Sequence, residues 1–315
     1  MVRILCRQVK PSTFFKDSIM PQYLNDQTQD LPKLKVYLNT DNLHGLPVES
    51  EWGGVTEENA ITKLLADGFE GIQVGENPLP FKPDTRLRRC GLHRINAVGE
   101  AEEVFRQHLD AGDECITLHV GWGIEDDEEI HALVRDILNA SESTGLPAFI
   151  ETHRATITQD MWRTVQLTKA FPDIRFNADF SHWYCGQEMV YGDFEAKLDF
   201  LQPVFDRVGF IHARIAAPGM IQAAIEGADA KPRLAVGANY LEHFKHMWTR
   251  AMAGFRRHAG SGDVLVFAPE LLCSEIYYAR LVPDADGNLR EASDRYHEAK
   301  IYLDLARKCW QDVEK

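Results

Sequence analysis

The stretch Ala148-Phe149-Ile150-Glu151-Thr152-His153-Arg154 decides how the rest of the chain is interpreted. Three apolar residues run directly into four polar ones, and Gly145 and Pro147 precede them. A short apolar run bounded by turn residues is typical of an interior parallel strand that is buried on both faces. Glu151 then comes at the carboxyl end of that strand.

The same pattern recurs in three later apolar runs. Each run leads into a polar residue of a type that binds metal ions. Taken together, the four strand ends supply Glu, Asp, His and Glu, one ligand per strand. These residues are Glu151, Asp179, His212 and Glu270.

Eight apolar runs with strand character alternate with helical patterns along the chain, which predicts a parallel sheet. A length of 315 residues accommodates a closed (β/α)8 barrel, which typically needs about 250. The Gly-x-Gly-x-x-Gly turn of a dinucleotide fold is absent after the first strand. We therefore predict an α/β fold, a single (β/α)8 TIM barrel over residues 33–315, with an N-terminal extension over 1–32 and a C-terminal helix over 291–313.

Several local expectations accompany this fold. Thr56 and Thr158 are predicted as the N-caps of two helices, because a side-chain oxygen there can accept a backbone N–H. Residues 174–179 are predicted as the sixth strand, and residues 194–205 as one helix. A long loop rich in Ala, Gly and Pro is expected over residues 213–237.

Composition limits the class of protein. The chain has 34 Lys and Arg against 48 Asp and Glu, a net charge of −14. Such a surface should repel nucleic acid and anionic membranes, since neutralising phosphates needs clustered cations. The six cysteines are scattered without Cys-x-x-Cys spacing, no apolar run approaches the ~20 residues of a membrane span, and the first ten residues lack a signal-peptide core. We expect a cytoplasmic protein with reduced thiols.

In barrels of this type the chemistry takes place at the carboxyl ends of the strands. Any one of the four strand-end residues could equally be a capping or salt-bridged side chain. Four of them in register favour a metal site. Three carboxylates and one imidazole make a mostly oxygen site, which suits Mn²⁺, Mg²⁺ or Co²⁺ better than a structural zinc.

Other polar and aromatic residues would face the same mouth of the barrel. His182 follows Asp179 by three residues and could be a fifth ligand, a substrate contact or a residue that orients a ligand. Each histidine could also be an ordinary packed residue, Arg214 could bind a substrate anion or pair with a carboxylate, and the tryptophans could wall the pocket or pack in the core. The candidate substrate-binding residues are His182, His119, His153, Arg154, Arg214, Trp122 and Trp183.

The Glu, Asp, His and Glu set with its Asp179-x-x-His182 step resembles the xylose isomerase-like TIM barrels over about residues 34–272. This superfamily contains ketose 3-epimerases, hydroxypyruvate isomerases, inosose dehydratases and the endonuclease IV group. The segments 116–121 and 150–153 also resemble sugar phosphate isomerases and epimerases. The resemblance implies that Glu151, Asp179, His212 and Glu270 bind one divalent ion and that the two glutamates exchange protons with the substrate. Mn²⁺ is the expected ion, with Mg²⁺, Co²⁺ or Zn²⁺ as alternatives.

The favoured hypothesis is therefore a metal-dependent isomerase or epimerase of a sugar or related hydroxy-ketone, acting through an enediolate. Arg214 follows His212 more closely in the sequence than the arginine of the epimerases follows their metal-binding histidine. Glu151-x-His153 is also more polar than an epimerase site needs. These departures leave a lyase or dehydratase as the alternative. An apurinic-site endonuclease is a further hypothesis, but the Asp-x-His step expected after the seventh strand of that class is missing from residues 213–237. A non-catalytic subunit is the remaining hypothesis. A homo-oligomer, dimer or tetramer, is expected, with a small carbohydrate as the substrate.

Overall fold

The computed structural model describes residues 22–75, 77, 79–82, 84–225, 227 and 239–314. The strands are β1 (Leu24–Asn25), β2 (Lys33–Asn39), β3 (Gly71–Val74), β4 (Arg88–Ile95), β5 (Ile116–Val120), β6 (Ala148–Glu151), β7 (Phe176–Asn177), β8 (Val208–Ala213), β9 (Asp263–Pro269), β10 (Leu281–Pro283) and β11 (Leu289–Glu291). The helices are α1 (Ala60–Ala66), α2 (Ala101–Asp110), α3 (Asp127–Thr144), α4 (Met161–Ala170), α5 (Ser181–Gly186), α6 (Phe194–Phe200), α7 (Gln202–Phe205), α8 (Tyr240–His258) and α9 (Arg295–Glu314).

Strands β2 to β9 form a closed parallel barrel, as the sequence predicts. Each strand pairs with the next, and β9 pairs with both β8 and β2, which closes the sheet. The strand interiors are apolar, and they pack closely across the barrel. A Cβ atom on Gly209 of β8 would lie 2.2 Å from a ring carbon of Phe149 in β6, so that position requires glycine. The carboxyl ends of all eight strands therefore meet at one mouth.

Part of the predicted N-terminal extension packs against the barrel. Strand β1 pairs in antiparallel fashion with the start of β9. The Tyr23 ring makes an edge contact with Phe255 of α8 at a centroid distance of 4.8 Å. Residues 1–21 of the extension lie outside the described residues.

Helix α3 has the boundaries that its sequence signals indicate. Asp126 caps it, and Asp126 and Glu129 form a reciprocal capping box. Its buried face includes Ile130, Leu133 and Val134. Gly145 ends the helix with a φ of 74°, a left-handed conformation that glycine adopts without strain.

Five local predictions are wrong, and three of them concern the extent of a strand or helix. The sixth strand is β7, which is only two residues long because its pairing with β8 shifts register after Phe176. The helix predicted over 194–205 breaks into α6 and α7, because Pro203 cannot donate the next intrahelical hydrogen bond. The C-terminal helix begins at Arg295 rather than at 291.

The two predicted threonine N-caps do not cap helices. Helix α1 begins after Asn59, which makes no side-chain capping bond. Helix α4 is capped by Asp160, whose side chain accepts from the Arg163 N–H. The Thr158 hydroxyl instead donates to the Glu151 carbonyl and so holds the end of β6.

The loop after β8 is anchored by the C-terminal helix. The Ile215 N–H donates to the Tyr302 hydroxyl at 3.0 Å, and the Ile225 N–H donates to the Glu298 carboxyl at 2.9 Å. The Ser293 hydroxyl also donates to Glu298, at 2.6 Å. Residues 226 and 228–237 of the predicted loop lie outside the described part of the chain. Within the described residues, no helix combines the length and the apolar character that crossing a bilayer requires.

Glu298 should make stability depend on pH. Burial raises the pKa of its carboxyl from 4.5 to about 7, although the hydrogen bonds from Ser293 and Ile225 oppose the shift. Between pH 4.5 and 7 the unfolded carboxyl releases its proton while the folded one retains it. Folding free energy is therefore lost as pH rises through this window, by about 3 kcal/mol. Urea unfolding across pH 5–8 should show a loss of stability that is about 3 kcal/mol smaller in Glu298→Gln than in the wild type.

Glu103→Gln, on the exposed face of α2, is the matched control and should keep the wild-type dependence on pH. Parallel pH profiles for the wild type and Glu298→Gln would contradict the assignment.

Candidate metal centre

The structure brings together the four strand-end residues. Glu151 is the last residue of β6, His212 lies within β8, and Asp179 and Glu270 follow β7 and β9. All four are buried, with at most 5% of any residue exposed. One donor atom from each lies within 4.8 Å of the others. The mouth of the barrel therefore holds a compact buried set of three carboxylates and one imidazole.

Two cationic groups offset the charge of these carboxylates. His212 Nδ1 lies 3.0 Å from Glu151 Oε2 and 3.4 Å from Glu270 Oε2. The Arg214 guanidinium pairs with Asp179 and lies 2.9 Å from Glu270 Oε2. Arg214 is itself 1% exposed, so these charges interact with little solvent screening. Of the two roles predicted for Arg214, the structure shows the pairing with carboxylates.

Burial and neighbouring charges set the protonation of the cluster. Burial raises the pKa of Glu270 to about 7, against the influence of His212 and Arg214. Burial opposes the charge on His212, but Glu270 and Glu151 outweigh it and raise the pKa of His212 to about 9. Burial also disfavours the Glu151 carboxylate, yet His119 and His212 hold its pKa well below the ordinary value. Glu151 is therefore ionised at neutral pH, whereas Glu270 is poised to exchange a proton.

Gln73 fixes which nitrogen of His212 faces the carboxylates. The amide nitrogen of Gln73 donates to the Thr117 hydroxyl at 2.7 Å, and its oxygen accepts from Asn39 at 2.9 Å. That oxygen also lies 2.7 Å from His212 Nε2. Because an amide oxygen can only accept, His212 Nε2 must carry a hydrogen. The Nδ1 atom is thereby left as the donor available to a metal ion.

A second amide, Asn177, orients the other side of the cluster. Its nitrogen donates to Glu151 Oε2 at 3.0 Å, and its oxygen accepts from the His212 backbone N–H at 2.9 Å. Asp179 is held by the Ser181 N–H at 3.0 Å and by the Ser181 hydroxyl. The ligand candidates are thus oriented by neutral donors that add no charge.

Three histidines predicted to bind substrate form a stack over Glu151. The His153 ring lies 4.5 Å from that of His119 and 3.9 Å from that of His182. His119 Nε2 lies 3.2 Å from Glu151 Oε2, and His182 Nε2 lies 3.4 Å from Asp179 Oδ2. The stack therefore covers one side of the metal-ligand cluster.

The three imidazoles differ in charge. Burial lowers the pKa of His153 to about 3 and that of His182 well below its ordinary value, and both are neutral at physiological pH. Burial also opposes the charge on His119, but the Glu151 carboxylate prevails and raises its pKa. His119 is therefore the member of the stack best placed to carry a proton.

The other predicted substrate-binding residues occupy different surroundings. Arg154 is exposed, and its guanidinium lies 5.8 Å from the centre of the Tyr278 ring. Trp122 is 58% exposed and stacks under Arg94 at 4.8 Å. Trp183 is fully buried and donates its indole N–H to the Thr158 carbonyl at 2.9 Å. Trp183 is therefore packed in the core, as the alternative prediction had it, and has no exposed indole surface that could line a pocket.

Sequence reasoning missed Gln73, Asn177 and Tyr278. Gln73 and Asn177 could have been found, because both are polar residues near the ends of apolar strands. The Tyr278 ring lies 4.6 Å from the Arg214 guanidinium, which brings a loop residue to the cluster. No periodic signal in the sequence indicates that contact.

The residues present fit a divalent cation. Glu151 Oε1 and His182 Nδ1 are buried without a hydrogen-bond partner within the described part of the chain, and His212 Nδ1 faces the Glu151 and Glu270 carboxylates without an aligned hydrogen bond. Leaving such atoms unsatisfied costs free energy, which coordination would recover. Oxygen and imidazole donors are typical of ions such as Mg²⁺, Mn²⁺ and Zn²⁺. Glu151, Asp179, His212 and Glu270 are the residues that could hold it.

No protein-family model matches the chain, and no curated protein matches it. Solved barrel structures are similar in fold. The probable 3-DHS dehydratase AsbF involved in petrobactin synthesis from Bacillus anthracis is 15% identical, with 75% of this chain and 92% of that chain covered and a TM-score of 0.48. A dihydrodipicolinate synthase from Agrobacterium tumefaciens str. C58 is 14% identical, with 77% and 70% covered and a TM-score of 0.33. The 4-hydroxy-tetrahydrodipicolinate synthase from the thermoacidophilic methanotroph Methylacidiphilum fumariolicum SolV is 11% identical, with 90% and 98% covered and a TM-score of 0.36. With TM-scores below 0.5 and identities of 15% or less, these similarities assign no function to this chain.

Replacing Gln73 should weaken metal binding without removing a ligand. Gln73→Leu deletes the acceptor for His212 Nε2, so the imidazole loses its fixed tautomer and orientation. Affinity for Mn²⁺ should fall about 10- to 100-fold, as it does when such orienting partners are lost elsewhere. Isothermal titration of chelator-treated protein measures the change.

Gln166→Leu on α4 is the control, because that amide contacts only the Trp162 carbonyl and the Lys169 ammonium on the exposed side of the helix. It should bind Mn²⁺ as the wild type does. Unchanged affinity in Gln73→Leu would contradict the role of the Gln73 contact.

Proposed function

We propose that this protein is a divalent-metal-dependent isomerase or epimerase of a sugar or related hydroxy-ketone. The observation that carries the proposal is the buried cluster of Glu151, Asp179, His212 and Glu270, with donor atoms within 4.8 Å of one another at the ends of four successive strands. When bound, the divalent ion supplies Lewis-acid polarisation of a substrate carbonyl and stabilises an enediolate. Mn²⁺ is the proposed ion because three of the four donors are carboxylates.

The two glutamates provide the proton-transfer groups of this proposal. Reactions of this class need one group to remove a proton next to the carbonyl and another to return it. Glu151 is held ionised by His119 and His212, whereas the pKa of Glu270 is raised to about 7. Two carboxyls whose environments separate their pKa values are typical of an acid and base pair. Glu151 and Glu270 are accordingly assigned together as the acid and base pair.

The remaining polar residues at the mouth suit a polyhydroxylated substrate. Neutral imidazoles can both donate and accept, so His153 and His182 would bind substrate hydroxyls without desolvating a charge. Arg154 lies at the exposed edge, where it would contact the distal end of the substrate. These assignments support a small carbohydrate rather than a polymer or a nucleic acid.

A lyase or dehydratase acting on a keto-sugar or keto-inositol is the alternative. The same enediolate can expel a β-hydroxyl group if an acid delivers a proton to it. His119 favours this alternative, because its pKa is raised and its Nε2 lies 3.2 Å from Glu151. In the isomerase, His119 would instead only orient Glu151.

Turnover in D₂O distinguishes the two reactions. Mn²⁺-loaded protein is incubated with a panel of ketoses and keto-inositols. Mass spectrometry gives the masses of the products, and NMR shows which carbon carries deuterium. The isomerase or epimerase assignment predicts deuterium at one carbon of a product that retains all its oxygens. Glu151→Gln should reduce exchange about 10²- to 10⁴-fold, whereas Glu103→Gln on α2 should leave it unchanged.

A product whose mass is lower than that of the substrate by one water would contradict the isomerase assignment and support the dehydratase. Turnover that is undiminished after exhaustive chelation would overturn both.

A further inference from the structure

A second group of metal-binding side chains lies outside the four-residue cluster. His44 follows the 3-10 turn Thr40–Leu43, and Cys273 and Glu275 lie in the segment after β9. One donor atom from each lies within 4.8 Å of the others, and His44 Nε2 is 3.7 Å from Glu275 Oε2. Cys273 is a free thiol and only 6% exposed.

The backbone around these three residues is held by a buried arginine. Arg295 of α9 donates to the carbonyls of Asn42 and His44, with Leu271 O at 3.5 Å. Its side chain is fully buried and also pairs with Glu291 at 2.7 Å. Arg295 thereby fixes the two chain segments that present the three donors.

A further contact fixes the segment that carries Cys273 and Glu275. The other oxygen of Glu291 accepts from the Ser274 N–H at 2.9 Å. The Cys273 carbonyl accepts from the Tyr278 N–H at 3.4 Å and closes the turn that follows. The donors are therefore positioned by contacts that do not depend on their own side chains.

We propose that His44, Cys273 and Glu275 form a zinc site. A thiolate, an imidazole and a carboxylate match the ligand types of zinc, and a fourth position is open to water. Bonds of about 2.0–2.3 Å in a tetrahedron require donors roughly 3.3–3.8 Å apart, a separation that His44 and Glu275 already have. The thiolate distinguishes this set from the cluster at the barrel mouth, which has none.

An ion can reach this site from solvent. A cavity of about 700 Å³ is lined by Gly45 and Ser274, the direct neighbours of His44 and Cys273. The Glu275 side chain is 76% exposed and that of His44 is 45% exposed. The site is therefore open and its metal should be removable by chelators.

Zinc here would hold the segment that delivers Tyr278 to the barrel mouth. Tyr277, between the ligands and Tyr278, has a φ of 67°, a left-handed conformation that a side chain of this size adopts only under constraint. Tyr278 then lies against Arg214, which pairs with Asp179 and Glu270. The zinc site would thus keep Tyr278 in place beside the catalytic cluster.

Cobalt titration of the full-length, chelator-treated protein tests this site. Co²⁺ bound to a thiolate gives a charge-transfer absorbance in the near ultraviolet, and Co²⁺ in the oxygen-rich cluster cannot. We expect two equivalents of Co²⁺ in the wild type, with this absorbance from one of them. Cys273→Ser should lose the absorbance and one equivalent. Glu275→Gln, at an exposed position that folding does not require, should lower Co²⁺ affinity at this site at least about 10-fold.

The controls separate this site from the proposed active site and from other thiols. Glu151→Gln should keep the thiolate absorbance, even if it loses activity and metal at the barrel mouth. Cys185→Ser and Cys6→Ser should also keep it. An absent absorbance in the wild type, or an undiminished one in Cys273→Ser, would overturn the proposal.

Discussion

The burial of three carboxylates at one end of a barrel is the constraint on which the rest of the structure depends. Charges removed from water are costly unless they are paired and hydrogen-bonded. Here Arg214 and His212 supply the opposing charge, and Asn39, Asn177 and Ser181 supply neutral donors. These partners come from the ends of β2, β7 and β8 or the residues after them, and the carboxylates come from the ends of β6, β7 and β9, so the cluster ties five strands together at the mouth of the barrel.

The same constraint connects the fold to the proposed chemistry. The negative charge of the carboxylates is balanced by a permanent cation, Arg214, and by a titratable one, His212. The cluster can therefore release a proton when it binds a divalent ion. His212 can lose its proton from Nδ1 only, since Gln73 occupies Nε2. The arrangement therefore favours metal binding without rearrangement of the strands, and it leaves Glu151 beside three imidazoles.

The architecture and the four-residue cluster followed from the sequence, because apolar runs that end in polar residues constrain a parallel barrel strongly. The orienting amides did not follow, since the role of Gln73 in β3 depends on hydrogen bonds to three other strands, β2, β5 and β8. Thr158 resembled a helix cap, but its hydroxyl donates a hydrogen bond to the Glu151 carbonyl. Asp160 caps helix α4 instead. Tyr278 and the His44, Cys273 and Glu275 group come from loops, where no period relates one residue to the next.

The most direct test of the central claim is a crystal structure of the protein soaked with Mn²⁺, with anomalous differences measured at the manganese edge. The account predicts one anomalous peak bonded to Glu151, Asp179, His212 Nδ1 and Glu270, with Arg214 displaced from at least one carboxylate. An absence of anomalous density at the mouth, with Arg214 still bridging Asp179 and Glu270 at saturating Mn²⁺, would contradict it.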